Sequence, residues 1–128
     1  MLLDDIEQYL KDGGFGANLY LSRIPSNAPA ACVMINAYGG KPPLRTSSGV
    51  AVERPKIQVV VRDAFRSSAD ARIEAIKQYL DGASELTINQ TRYIWIEALS
   101  EPFLIRLDEM GRPEVGCNFE VVKERTAL

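Results

Sequence analysis

The sequence contains no histidine, and this absence removes several kinds of catalytic site. A Ser-His-Asp triad or a Cys-His pair cannot form without that residue. The only two cysteines, Cys32 and Cys117, lie far apart and form no C-x-x-C pair, so a structural zinc site is not expected either. We therefore predict no enzymatic activity, no catalytic residue, no metal and no cofactor.

The chain also lacks an excess of positive charge and any long apolar run. It carries 15 Lys and Arg against 17 Asp and Glu, a net charge of −2, whereas proteins that grip nucleic acid usually show a basic excess. No apolar run reaches the roughly 20 residues that span a bilayer. The first residues, MLLDDIEQYLKD, carry acids where a secretory signal carries bases. We expect a soluble protein made in a cytoplasm, with no membrane partner and with both cysteines reduced.

The composition that remains is that of an ordinary globular domain. Apolar residues make up 46% of the 128 residues and charged residues 25%. This balance and this length predict a single domain over residues 1–128.

Apolar periodicity predicts two helices. The first begins at Leu2, ends at Gly13-Gly14 and places Asp5 on its outward face. The second begins after Ser67, which is a candidate N-cap, and ends near Gly82. Each helix carries one apolar stripe, which is expected to pack against a sheet.

Alternation of apolar and polar residues predicts six strands, and the last pair forms a hairpin. In the fifth, Phe103, Ile105 and Leu107 are expected to point inward, and in the sixth Phe119 and Val121. The resulting order predicts an α+β fold, with a mainly antiparallel sheet and two helices packed on one face. The predicted strands span residues 18–23, 31–37, 56–63, 92–99, 103–108 and 114–123.

A long connection separates the second and third predicted strands. Residues 38–55, YGGKPPLRTSSGVAVERP, contain glycine and proline pairs that indicate a loop. Compact domains rarely keep so long a connection unless it is functional or disordered. We predict that it is a mobile assembly loop that contacts a partner.

The candidate site residues are therefore interface residues. The charges of the loop and the next strand either form a solvated surface or pair with acids on another copy of the chain. Aromatic residues of the strand at 92–99 belong either to the core or to a contact surface. The acids Asp108, Glu109 and Glu114 are a weaker candidate for a hydrolase site. The predicted interface residues are Gly39, Gly40, Lys41, Arg45, Arg54, Lys56 and Arg62, with Tyr93, Trp95 and Glu97 on the possible interface strand.

Three segments carry a resemblance to a known family: PKIQVVVRD, ARIEAIKQYLDG and YIWIEALSEPFLIRLDEMGRPEVGCNFEVV. In order, spacing and length the chain resembles the tail terminator proteins of long-tailed bacteriophages, also called minor capsid or tail-completion proteins. The resemblance implies a hexameric ring that caps the tail tube and joins it to the head connector or stopper protein. It also implies that DNA passes through the lumen without specific binding. The loop would become ordered on assembly, so free subunits would be monomeric and assemble on a template.

Two other interpretations remain open. The chain could be another component of the head–tail neck, such as a stopper or a connector adaptor. It could also be a small ligand-binding regulatory domain, which would show a defined pocket and a fixed small oligomer. The resemblance favours a virion protein at the head–tail junction, assembled in the cytoplasm of a bacterial host.

Overall fold

The computed structural model describes residues 2–45 and 51–125, which form two helices and seven strands. In chain order the elements are α1 (Leu2–Asp12), β1 (Leu19–Leu21), β2 (Cys32–Arg45), β3 (Ala51–Arg62), α2 (Arg66–Leu80), β4 (Ser84–Ile88), β5 (Thr91–Ala98), β6 (Phe103–Leu107) and β7 (Pro113–Glu124).

The seven strands form one sheet. Six of them follow the order β1-β2-β3-β7-β5-β4, and β6 pairs with β7 outside this order. Only β1 and β2 run parallel, and the other neighbours are antiparallel. β7 is central, because β3 lies along one edge while β5 and β6 share the other. β5 pairs with the second half of β7 and β6 with its first half. The predicted α+β fold with a mainly antiparallel sheet is confirmed.

Both helices pack on the same face of this sheet. Ile6 and Leu10 of α1 and Ile73 and Ile76 of α2 are fully buried against the strands. Phe119 of β7 lies beneath them, also fully buried. This single apolar layer is the core of the subunit, and its burial is the main source of stability.

The two helices also contact each other through a pair of tyrosines. The rings of Tyr9 and Tyr79 stack with centroids 4.5 Å apart, and the Tyr79 hydroxyl donates a hydrogen bond of 2.8 Å to the Tyr9 carbonyl. Gly13 ends α1 beside this pair. A Cβ at Gly13 would lie 2.4 Å from the Tyr79 ring, so a glycine is needed there for the close approach.

The sequence interpretation missed β4. This strand forms a hairpin with β5 in which Thr87 pairs with Arg92 and Ile88 with Thr91. The two turn residues, Asn89 and Gln90, both adopt positive φ, at 48° and 70°. Such turns favour Asn followed by Gly. Because Gln stands at position 90 instead of Gly, the sequence did not indicate a hairpin turn here. The helix N-cap was also misplaced: α2 begins after Phe65, without a side-chain cap.

Both cysteines are free thiols buried in the subunit. Burial raises the pKa of each, and it raises that of Cys117 to about 11. The thiol form is therefore favoured in the folded state more than in the unfolded state. This preference stabilises the fold fully below the unfolded-state pKa of about 8.5 and is lost as the pH rises through the folded-state pKa.

We expect this loss to be measurable through Cys117→Ala. The stability advantage of the wild type over the variant should shrink by about 3 kcal/mol between mildly and strongly alkaline pH, because the thiol pKa is about 8.5 in the unfolded state and about 11 in the folded state. Urea unfolding of both proteins across that pH range measures the difference, and tyrosine and lysine titration cancels between them. A difference that stays constant with pH would contradict the expected shift.

Candidate functional site

The β2–β3 hairpin extends well beyond β1, while its β3 strand remains paired with β7 as far as Val52. β1 pairs with β2 only at residues 33–35, whereas β2 and β3 remain paired as far as Arg45 and Ala51. We call residues 38–45 and 51–55 the arm; residues 38–45 are all exposed. The predicted loop is therefore largely a paired hairpin, and its central residues 46–50 lie outside the described residues.

The arm tolerates its glycines and prolines because they fall at irregularities in the pairing. Gly39 has no partner between the Tyr38–Lys56 and Gly40–Pro55 pairs, which makes a bulge. Pro42 and Pro43 likewise lie at a register shift, where a missing N–H donor removes no ladder bond. Residues that indicate a loop locally are thus compatible with a long hairpin.

The arm carries three cations and one acid. Lys41 Nζ lies 3.6 Å from Glu120 of β7, and Arg54 donates a hydrogen bond of 2.7 Å to the Pro42 carbonyl. Glu53, the one acid, lies 3.3 Å from Lys123. The third cation, Arg45, is exposed near the end of the described arm. The arm is therefore a positively charged hairpin at the edge of the sheet, whose β3 strand is joined to β7 by strand pairing at Val52 and Glu53 as well as by ion pairs.

The sheet face opposite the helices continues from the arm, and we call it the open face. Its polar centre contains Gln58, whose side-chain amide donates a hydrogen bond of 3.0 Å to Asn118. The next row pairs Lys56 with Glu120 and Glu120 with Glu97. Trp95 at the rim is 45% exposed. A face with mixed amides, charges and an exposed tryptophan resembles a protein–protein interface more than a core.

The predicted interface residues fall into three groups. The arm holds Gly39, Gly40, Lys41, Arg45 and Arg54, and the open face holds Lys56, Trp95 and Glu97. The other two, Arg62 and Tyr93, are buried within the subunit.

Each of these two buried residues has an internal role. Arg62 donates hydrogen bonds to the carbonyls of Pro29 and Ala30 and lies 3.5 Å from Asp108. The Tyr93 hydroxyl donates to Asp5. Neither side chain presents a surface to a partner in this conformation.

β6 provides a third surface that the sequence interpretation assigned to the core. Phe103, Ile105 and Leu107 were predicted to point inward, but every residue of β6 is exposed, so that prediction is wrong. The physical reason is position: β6 joins only β7, at residues 113–116, and α2 covers β3, β5 and β7. With neighbouring exposed residues it forms a surface that we call the strip: Leu99, Phe103, Leu104, Ile105, Leu107 and Met110, which are 37% to 76% exposed.

Two of the three acids considered for a hydrolase site, Asp108 and Glu114, are held by arginines. Arg106 lies 3.1 Å from Glu114, and Arg112 Nε lies 2.8 Å from Asp108. Burial raises the pKa of Asp108, but the backbone and side-chain N–H donors of Arg112 outweigh it and hold that pKa below its usual value. A glycosidase acid needs the opposite shift, so these groups serve the β6–β7 turn.

Two shallow cavities lie near these features. One, of about 300 Å³, is at the base of the arm between Leu2, Lys41, Arg54 and Lys123. The other, of about 240 Å³, is beside Arg62 and the turn after β6. Both are open to solvent, unlike the enclosed apolar sites that usually hold small ligands.

The described residues contain neither a membrane-spanning helix nor a cluster of metal ligands. Neither α1 nor α2 is long and apolar enough to cross a membrane. Within residues 2–45 and 51–125, no three His, Cys, Asp or Glu side chains are grouped so as to hold a metal ion.

Comparisons with known proteins agree with the resemblance seen in the sequence. A family model described as bacteriophage tail terminator protein matches residues 7–125. A chain in the solved structure of the virion of a native gene transfer agent (GTA) particle is similar in fold. Its TM-score is 0.66 at 18% identity, over 97% of this chain and 95% of that chain. No curated protein sequence matches this one. Because the family model matches nearly the whole chain, including all three surfaces, the chain belongs to the bacteriophage tail terminator protein family.

Proposed function

We propose that this chain is a structural virion protein, without enzymatic activity, that assembles into a hexameric ring. The ring caps the tail tube at the head–tail junction and joins it to the head connector or stopper protein. The observation that carries this proposal is the family match over residues 7–125. The arm, the open face and the strip supply three surfaces through which copies and partners can be held.

The size of the subunit is compatible with a six-membered ring around DNA. A compact chain of this length has a radius of gyration of about 14 Å, equivalent to a ball about 36 Å across. Six touching balls leave a hole of about 36 Å, whereas four leave about 15 Å, too narrow for a duplex. Side chains narrow either opening, so the larger ring is favoured.

The charge of the subunit also supports passage of DNA without retention. Each copy carries −2, so six copies carry −12. A channel through which DNA slides should not hold its phosphates, because cationic contacts bind DNA by releasing counterions.

Within this ring the arm is the element that contacts a neighbouring subunit or the tail tube. Its β2 strand is exposed along residues 38–45 at the edge of the sheet, and the hairpin bears Lys41, Arg45 and Arg54. Exposed charged elements fix register and orientation in an assembly more than they add affinity.

We expect shortening of the arm to prevent completion of tails while leaving the subunit folded. Residues 44–52 would be replaced by Asn-Gly, which suits a tight hairpin turn and keeps the Lys41–Arg54 pair. The variant should unfold at nearly the wild-type temperature, but it should neither form rings nor bind tail tubes. The tubes for this assay come from the encoding virus with the gene for this chain deleted. Native mass spectrometry and electron microscopy of the tubes measure both properties.

A charge reversal gives a matched comparison. Arg45→Glu changes an exposed arm cation, and Arg66→Glu changes a half-exposed cation on α2. Only the arm variant should lose the ability to cap the tubes.

A wild-type protein that binds no tail tube and stays monomeric at every concentration would contradict the proposed function. Particle images that place the protein elsewhere in the neck would favour a stopper or adaptor.

A further inference from the structure

We propose that the strip is the docking surface for the arm of a second copy of this chain. This inference rests on the ring proposed above and names the contact that closes it.

The strip includes an open edge of the sheet. β6 pairs with β7 along one edge only, and among the described residues no strand lies along its other edge. The unpaired N–H and C=O groups of such an edge are a template for another strand. Natural edges are usually protected by charges or proline, but the sequence of β6 is FLIRL. Its one charge, Arg106, is bound to Glu114 at 3.1 Å.

The exposed apolar area of the strip is that of the largest patch on a typical monomer, and such patches are often functional. Its six apolar side chains are each 37% to 76% exposed. At about 150–250 Å² for a large side chain, the exposed apolar area is roughly 500 Å². That value lies near the upper end for the largest patch of a typical monomer, about 300–600 Å². It is more than half of the roughly 800 Å² per partner in a standard interface.

Charge complementarity identifies the arm as the occupant. Residues 38–55 contain Lys41, Arg45 and Arg54 against Glu53, a net charge of +2. Residues 97–112, which contain the strip, carry a net charge of −2. The latter balance comes from four acids and two arginines. Glu101, Asp108 and both arginines form ion pairs within the subunit, so Glu109 beside the strip and Glu97 on the neighbouring open face are the acids available to the arm. Opposite charge on two surfaces favours their association and fixes its orientation.

The arm has the matching edge and the matching apolar contact. Because β1 covers β2 only at residues 33–35, the outer edge of β2 is open along the arm. Leu44 on the arm is 51% exposed and Tyr38 is 38% exposed. Pro42 and Pro43 lack N–H donors, so the contact with the strip is made mainly by these apolar side chains, with main-chain hydrogen bonds confined to the residues on either side of the two prolines.

The topology requires the contact to be between copies. Within one subunit, β3 and β7 separate β2 from β6, which places the two outer strands roughly 14 Å apart. The arm and the strip are also different surfaces, so their pairing is head-to-tail. Head-to-tail contacts generate a closed ring when the rotation closes.

Cysteine cross-linking tests this contact directly, because the natural thiols are buried. Leu44→Cys marks the arm and Leu107→Cys marks the strip; both side chains are more than half exposed. Oxidation of an equimolar mixture of the two single variants, assembled on tail tubes, should give covalent dimers. Each variant alone should give none. Phe65→Cys, at a 70% exposed site outside the strip, should not cross-link to Leu44→Cys.

The outcomes separate this inference from the proposed function. Rings that form and cap tubes without an arm–strip cross-link would overturn the inference and leave the function in place. Cross-linking of Leu107→Cys with itself would show strip-to-strip dimers instead and would also overturn it. The absence of any ring would overturn both. As a second measure, Leu107→Lys should raise the concentration needed for ring formation at least tenfold, whereas Phe65→Lys should not change it.

Discussion

Phe119→Ala is expected to lower the free energy of unfolding by about 3–5 kcal/mol, the range for loss of a large aromatic side chain from a packed core. Phe119 is fully buried at the centre of β7. It pairs with Ile57 of β3 on one side and with Ala98 of β5 on the other. The cavity would therefore lie where three strands meet beneath the helices. Urea unfolding followed by circular dichroism measures the change.

The matched control is Phe65→Ala. Phe65 is 70% exposed before α2, and exposed substitutions usually change stability by less than about 0.5 kcal/mol. Similar losses at the two positions would contradict the assignment of Phe119 to the core. Phe119→Ala also serves as a reference in the assembly experiments, because it shows how a destabilised subunit affects ring formation.

Asp5→Ala is expected to cost about 3 kcal/mol of unfolding free energy, since it leaves buried polar partners without their acceptor. The Asp5 side chain is 1% exposed. Its carboxylate accepts hydrogen bonds from the Tyr93 hydroxyl and, at 2.8 Å, from the Asn89 amide. Burial and the bond to Asp5 raise the pKa of Tyr93, so the hydroxyl stays protonated and donates. This contact fastens α1 to the β4–β5 hairpin.

A double-mutant cycle separates this network from simple loss of packing. Tyr93→Phe in the Asp5→Ala background removes the hydroxyl that has lost its acceptor, so the two effects should not add. Asp4→Ala in the same helical turn changes an exposed carboxylate and should alter stability little. Additive effects of Asp5→Ala and Tyr93→Phe would contradict the network.

Alternation alone identified most of the sheet and its core. The apolar residues Ile57, Val59 and Val61 of β3 share a face, and so do Phe119 and Val121 of β7, all of them buried. The helical stripes were similarly clear. These signals are local, because a side chain's face depends only on the period of its own element.

The incorrect predictions depended on long-range contacts, which the periodicity of a single element does not reveal. Alternation in β6 indicates which residues share a face, but not whether a helix covers it, and the helices lie elsewhere. Asp5 looked like an outward acid because its partner Tyr93 is 88 residues away in the chain. In the arm, Gly39 and the pair Pro42-Pro43 favour a loop locally, but pairing between β2 and β3 accommodates them as bulges.

For the candidate site too, local sequence signals identified some features, and only tertiary contacts revealed the others. Lys41, Arg45 and Arg54 were predicted as interface residues because glycine and proline pairs mark their surroundings as unusual, and the structure places all three in the arm. Arg62 and Tyr93 were grouped with them by position in the sequence, and only the tertiary contacts show that they are internal. The strip was hidden because an apolar strand is ordinarily taken as core.

The pairing within the arm has a consequence for when assembly can occur. Fixing the backbone of one residue costs about 1–2 kcal/mol, and a hairpin already hydrogen-bonded to Arg45 and Ala51 does not incur that cost on docking. Preformed binding elements associate more readily than those that must fold first. If the subunits form the proposed ring, those with such a hairpin would be able to associate as soon as they are folded, and the timing of ring closure would be governed by subunit concentration and by access to the end of a finished tube.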